Sequence, residues 1–326
     1  MDLERRRLLA TAVLLPVAST ARAAHHEDYP DKPVRLVVPF PPGGGADNLA
    51  RAIMPKVSHA LGRPIIIDNK PGAGGNVGAE LVAGSPPDGY TLLYGTNGTH
   101  SINQALYQHL RFDPIKDFAP VSRMTEIAAM LVVNPQLPVL TTTQLIRYAK
   151  ANPGKVNFAS AGNGTTSHLS GELFKTMAGI DIVHIPYRGG GAAVADLISG
   201  QVQMMIDVMP NVYPLSRDGR IRGIAVSTAV RFPGAPELPT IAESGVAGFE
   251  SSAWDGVLAP AGTPEAIVGK LNAAIRTALA DPELVETLKS RGARPVAGTP
   301  QDFAQHIVES TKKWAVVVKA SGARID

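Results

Sequence analysis

Residues 34–61, VRLVVPFPPGGGADNLARAIMPKVSHAL, decide how this chain is read. Val34, Leu36, Val37 and Val38 form a short apolar run of the kind used by parallel strands covered on both faces. Pro41 and Pro42 end that run, and Gly43, Gly44 and Gly45 permit a tight turn or a close approach to a ligand. A helix follows, with Leu49, Ile53, Val57 and Leu61 on one stripe and Ala50 and Met54 beside it. Asp47 falls in its first turn or at its cap, and Gly62 closes it. Strand, glycine turn and helix together present free N–H groups at the carboxyl end of a strand. Open α/β sheets place anionic ligands there.

The same order recurs outward from this stretch. Residues 64–68 and 91–94 read as strands, with a short helix ending at Val82 between them and a polar glycine loop at 95–99. Residues 112–120 read as a proline-punctuated link, and the apolar run 127–133 as a strand entering a second domain. There, 141–151 and 168–178 read as helices, and 156–160, 182–186, 202–206 and 221–227 as strands. Residues 161–167 and 188–191 form glycine loops, and 192–199 is a helix. Residues 254–258 return to the first domain, and helices at 264–280, 282–291 and 300–319 complete it. The expectation is an α/β clamshell, a two-domain binding protein of the type II kind found in the periplasm. Each domain would be a Rossmann-like, mostly parallel sheet flanked by helices, with two hinge crossings. Domain 1 would comprise 29–123 and 252–326, and domain 2 would be 124–251.

Residues 1–23 read as a cleaved signal peptide: Arg5 to Arg7, an apolar stretch from Leu8 to Val17, and Ala21-Arg22-Ala23 as the cleavage site. The paired arginines also fit a twin-arginine export signal. This segment carries a net +2, which leaves +1 of the chain's formal +3 for the remainder. No Lys/Arg cluster survives in that remainder, which argues against a nucleic-acid partner. The chain has no Cys, so disulfides and thiol catalysis are excluded. Export without cysteine points to a bacterial periplasm.

Catalytic signatures are absent: no G-x-S-x-G, H-E-x-x-H, Walker A or C-x-x-C sequence occurs. Residues 72–78 mimic a dinucleotide loop, but the spacing is G-x-G-x-x-x-G and the chain is read as using no cofactor. His25-His26-Glu27-Asp28 reads as a solvated tail rather than a metal site. Ser167 and His168 are adjacent on a helix and do not face each other, so a catalytic triad is not expected. One of Thr165, Thr166 and Ser167 should cap that helix, with His168 donating to a neighbour. The polar loops after strands are the candidate site: 43–47, 95–100, 162–167 and 188–191. Asp207 ends an apolar run and could hold a ligand ammonium or a water, or cap a helix before Pro210.

Six stretches, in order, resemble one family. They are PFPPGGGADNLAR (39–51), NKPGAGGNVGAELVA (69–83), PDGYTLLYGTNGTHSINQALY (87–107), SAGNGTTSHLSGELF (160–174), IPYRGGGAAVADLISGQVQMMID (185–207) and LPTIAESGVAGFESSAWDGVLAPAGTP (238–264). Together they are similar to the Bug-type extracytoplasmic solute receptors of tripartite tricarboxylate transporters, and the likeness spans nearly all of the chain after Tyr29. The resemblance implies a periplasmic, non-enzymatic receptor that closes on a small di- or tricarboxylate and delivers it to the permease subunits of the transporter. It implies that one ligand carboxylate is held by Gly43, Gly44, Gly45, Ala46 and Asp47, and by Gly162, Asn163, Gly164, Thr165, Thr166 and Ser167, with His168 opening the following helix. The far end of the ligand would meet Asn97, Gly98, Thr99, Tyr187 and Asp207. Gly45 and Ala46 stand where family members often carry Ser or Thr, which leaves only main-chain donors at those positions.

Composition, with 5% aromatic residues, favours an aliphatic acid over one held by stacking. A mobile clamshell is expected to be a monomer. Two rival readings are an exported hydrolase or isomerase using His168 and Asp207, and a ligand sensor for a membrane signalling partner.

Overall fold

The computed structural model describes residues 29–325; the signal-peptide reading of 1–23 and the histidine-rich tail at 25–28 lie outside the described residues. Strand β1 (Val34–Val38) is almost wholly buried, as its unbroken apolar run requires. It leads into α1 (Gly45–Leu61), which buries Leu49, Ile53 and Val57 and ends on Gly62 at φ 74°. Next come β2 (Ile65–Asn69), α2 (Asn76–Ala83) and β3 (Thr91–Thr96). β2 and β3 flank β1, both parallel to it. A single π-helical turn, Gly98–Ile102, and the one-turn α3 (Asn103–Leu106) follow. Gly95 and Thr96 therefore belong to a strand, and the residues after Asn97 to a helical turn, rather than to an open loop.

The long strand β4 (Phe118–Val133) joins the two halves of the molecule. It begins at Phe118, inside the stretch read as a link, because its partner strand supplies hydrogen bonds that the local prolines do not forbid. The second half then runs α4 (Thr142–Ala151), β5 (Val156–Ser160), α5 (Thr166–Ala178), β6 (Ile182–Pro186), α6 (Gly190–Ser199), β7 (Met204–Val208), α7 (Met209–Arg217) and β8 (Arg222–Val226). β5 lies parallel to β6 and β7. Strand β9 (Ser252–Pro260) returns antiparallel to β4 over most of its length. The chain closes with α8 (Glu265–Leu279), α9 (Pro282–Ser290), β10 (Ala293–Pro295) and α10 (Pro300–Ser321).

The sheet order is β2-β1-β3-β9-β4-β7-β5-β6, with β8 and β10 also paired to β4. Each half keeps its parallel unit, and the two crossing strands run antiparallel to the units they connect. The apolar core divides along β4. Residues up to Ile127 pack with α1, α8 and β9, whereas Ala129, Leu131 and Val133 pack with β5, β6 and Phe249.

Several local expectations shift by a residue or two. α5 starts at Thr166 and α6 at Gly190, each two residues before the expected start. β7 runs to Val208, so Asp207 lies inside a strand. α7 and β10 went unread: α7 is short with Pro214 inside it, and β10 is only three residues long.

Candidate functional site

A cavity opens where the carboxyl ends of the parallel strands of both halves meet. From the first half it is lined by Phe40, Pro41, Gly44, Gly45 and Ala46 after β1, and by Tyr94, Thr96, Asn97 and Gly98 at the end of β3. The second half contributes Ala161, Thr165, Thr166 and Ser167 after β5, Gly190 at the start of α6, and Asp207 and Val208 of β7. Ile127 of β4 and Ala253, Trp254 and Asp255 of β9 form the floor, where the chain crosses between halves.

Three helices of ten residues or more begin at this cavity: α1, α5 and α6. Their first-turn N–H groups have no acceptor within their own helix, and each terminus carries partial positive charge. α1 and α6 are preceded by Gly44 and Gly189, which offer no side-chain acceptor, so the backbone donors there stay free. At α5 the hydroxyl of Thr165 takes the N–H of His168 and leaves those of Thr166 and Ser167. The lining contains no Lys, Arg or His. Such an arrangement of main-chain donors can hold an anion.

One side chain adds to it. Asn97 is buried and its Oδ1 accepts from Thr166 Oγ1 at 3.0 Å, yet its Nδ2 has no partner. A buried amide donor without an acceptor is costly, and this one belongs to a cavity-lining residue. Two carboxyls also face the space. Asp207 accepts from Asn211 Nδ2 at 2.6 Å, and burial pushes its pKa up to about 6 against that hydrogen bond. Asp255 accepts from Thr125 Oγ1 at 2.6 Å and from the Tyr94 hydroxyl, and burial likewise pushes it up to about 6.

The expected site residues thus fall into two groups. Gly44, Gly45, Ala46, Asn97, Gly98, Thr165, Thr166, Ser167 and Asp207 line the cavity. Gly43, Asp47, Thr99, Gly162, Asn163, Gly164, His168 and Tyr187 stand behind it or beside it. Asp47 is a clamp: its carboxylate accepts from Gly43 N–H, Arg51 and Asn69 Nδ2. Burial pushes its pKa up, but those hydrogen bonds outweigh it and hold the group below the usual range. Gly43 turns with φ 80° to reach this clamp. Thr99 bonds back to Thr96 and to the ring of His100. Asn163 and Gly164 meet the opposite half instead, the former through the Tyr107 hydroxyl and the latter against Asn103. The Tyr187 hydroxyl donates to Asp196.

His168 accepts the Gly164 N–H on Nδ1 rather than donating, and its ring stacks on His184 at 4.2 Å. His184 in turn bonds Ser160 Oγ, which accepts from Gly162 N–H. Burial lowers the pKa of His168 to about 4 and that of His184 to about 3. Neutral rings therefore brace the loop from behind. With Glu172 they bring three possible ligand atoms within 4.8 Å of one another. A metal must lie in the plane of each imidazole it binds, and two rings stacked 18° from parallel cannot both aim at one ion. Asp207 is not a helix cap; Val208 holds that position before α7.

The lining residues that sequence reasoning passed over are Phe40, Pro41, Tyr94, Ile127, Ala161, Val208, Ala253, Trp254 and Asp255, whereas Thr96 and Gly190 fall inside the candidate loops 95–100 and 188–191. Asp255 carried a usable signal: a lone carboxylate in the apolar run SAWDGVLAP, which burial makes costly unless it has partners.

Residues 49–323 match the family described as the tripartite tricarboxylate transporter family receptor. Protein BugT of Bordetella pertussis is 37% identical over 321 residues, covering 98% of each chain. The solved structure of R. palustris Rpa4515 with adipate is 41% identical with a TM-score of 0.89, covering 91% of this chain and 100% of that one. MatC (Rpa3494) from Rhodopseudomonas palustris with bound malate is 37% identical with a TM-score of 0.85, covering 89% of this chain and 100% of that one.

Proposed function

This chain belongs to the tripartite tricarboxylate transporter receptor family, and we propose that it binds a small aliphatic dicarboxylate between its two lobes and hands it to the membrane permease of such a transporter. The single observation that carries the ligand class is the convergence of three helix starts and the unpartnered Asn97 Nδ2 on a cavity lined by no basic residue. A charge-assisted hydrogen bond contributes ~1.5–3 kcal/mol net, and a micromolar site needs about 8 kcal/mol. A handful of such donors reaches that figure without an arginine. Relatives of this fold holding adipate and malate support the same class.

The lobes would be 29–127 with 251–325, and 128–250, moving about the paired crossings of β4 and β9. The division of the core near Ile127 supports this boundary a few residues beyond the one expected. Closure removes water and strengthens each polar contact. Among the described residues no helix is long and apolar enough to cross a membrane, and the leader-like residues 1–23 support export to the periplasm. Binding without turnover fits the placement of His168 behind the loop, away from Asp207 in the cavity.

The test is a thermal-shift screen of purified protein against mono-, di- and tricarboxylates. Ligand at a hundredfold excess over Kd adds ~2.7 kcal/mol to the folded state, a rise of several degrees for lobes of this size. A flat panel with folded, ligand-stripped protein sinks the reading. Loss of uptake in cells lacking the protein, restored by its return, tests the delivery step.

A further inference from the structure

We propose that the cleft takes its ligand together with a proton: one carboxylate of the acid rests on the helix starts, and its far carboxyl shares a single hydrogen with Asp207. This rests on the carboxylate-receptor reading above and specifies the form in which that ligand is bound.

The geometry that leads there is an imbalance of charge. The two lobes each turn one buried carboxyl toward the same cavity, Asp207 from β7 and Asp255 from β9, and the lining offers no cationic side chain against either. The two are not equivalent. Asp255 is occupied, one oxygen taking the hydroxyl of Thr125 and the other that of Tyr94. Asp207 accepts from Asn211 Nδ2 and from the Val208 backbone N–H. A carboxylate has about four lone-pair sites, so Asp207, a lining residue of the cavity, retains capacity for a further hydrogen bond.

The groups around Asp207 do not supply a counter-charge. On the packed elements it meets Asn211 of α7, Gly190 of α6 and Met130 of β4, none with an ionised side chain; the start of α6 adds only the partial positive charge of its backbone. Thr166 and Ser167 of α5 share the cavity with it and are neutral too. Around Asp255 stand the Tyr94 phenol from β3 and Thr125 from β4. The remaining nearby carboxylate, Asp47, also acts on the Tyr94 phenol but is committed to Arg51.

A dianion entering this space would therefore place its second carboxylate beside a buried carboxylate with no cation between them. A like charge within ~4–6 Å disfavours the ionised form of both, and burial has already lifted Asp207 to about 6. One proton resolves the conflict. It comes from solvent, forms one O–H bond on Asp207 or on the ligand, and leaves a single O–H···O⁻ hydrogen bond between the two carboxyls. No bond in the ligand breaks. An acid whose far end carries an ammonium group would bring its own hydrogen and need none from solvent.

Isothermal titration of the purified protein with malate and with adipate, each at pH 7 in phosphate and in Tris, reads the proton directly. The two buffers release very different heats on losing a proton. The expected result is uptake of roughly half to one proton per ligand, and Kd tightening up to about tenfold per pH unit lowered between pH 8 and 7, the limit of one-proton linkage. Equal heats in both buffers with a pH-independent Kd would overturn the proposal while leaving the receptor reading intact. Absence of binding by either acid, or by any member of the wider panel, would instead remove the receptor reading and this inference with it. In Asp207→Asn the uptake should vanish; if that variant binds and still takes up the proton, the assignment to Asp207 is wrong. Should the variant not fold, the two-buffer comparison on the unaltered protein decides alone.

Discussion

Thr166 Oγ1 donates to Asn97 Oδ1 across the cleft at 3.0 Å, joining the start of α5 to the end of β3. The bond fixes which way the Asn97 amide faces, so Nδ2 is the atom left without a partner. Asn97→Asp keeps the size and removes the donor. The expected loss is ~1.5–3 kcal/mol, roughly 10- to 150-fold in Kd by titration calorimetry. An unchanged Kd would take Asn97 out of the binding contacts.

At Gly45, in the cavity lining, the halves approach closely. A Cβ there would sit 2.6 Å from Val208 Cγ2 of the other half. A side chain at position 45 would press on the Val208 methyl in this arrangement. Gly45→Val should weaken ligand binding by roughly 5- to 150-fold, since overpacking against Val208 costs ~1–3 kcal/mol. A variant that binds normally would show that the lobes close in some other register.

Asp47 touches no cavity surface, yet its substitution should reduce affinity. Its carboxylate gathers the Gly43 N–H, Arg51 and Asn69, and so shapes the turn that presents Gly44 to Ala46. Asp47→Ala removes the acceptor that the Gly43 N–H and Arg51 share, while Asn69 Nδ2 keeps only Phe40 O, at about 0.5–1.5 kcal/mol per hydrogen bond lost. Both melting temperature and affinity should fall. Asp47→Asn should recover part of each, because it retains one acceptor oxygen; failure of that partial rescue would argue against the clamp.

Acid should destabilise the fold well before the carboxylates lose their charges. Burial lowers His100 and His184 to about 3 and His168 and His306 to about 4, with Arg123 adding to the effect at His306. Each contributes stability that is present above the unfolded value near 6.5 and is lost as pH falls through it. Asp207 and Asp255 act in the opposite sense: raised to about 6, they add stability as pH falls toward 4. Four histidines with the larger shifts outweigh two aspartates. Melting temperature should therefore drop between pH 6.5 and 4.5, and a flat or rising profile in calorimetry would contradict the buried-neutral assignment.

The parallel units were legible because their signals are local. A β-branched run, a glycine turn and an amphipathic stripe sit within one stretch at β1–α1 and again at β5–α5. The floor of the cavity was not legible in the same way. Trp254 and Asp255 join the site only because β9 returns beside β4, a long-range pairing that no local pattern encodes. Half of the proposed loop residues proved to be supports for the same reason. Gly162, Gly164 and His168 share the loop's sequence, but the lining is chosen by which side of the turn faces the other lobe. β4 was read short because Pro120 looks like a strand breaker, whereas there it coincides with an irregularity in register against β9.

A hold made from peptide N–H groups has an unusual property under mutation. Substituting a side chain at Ala46 or Ser167 changes a contour but cannot delete the backbone donor beneath it, provided that the turn survives. The far wall, by contrast, is made of side chains such as Asp207 and Asn97, which one codon can alter. The same scaffold can thus drift from one acid to another without passing through a form that has lost its hold on the shared carboxylate.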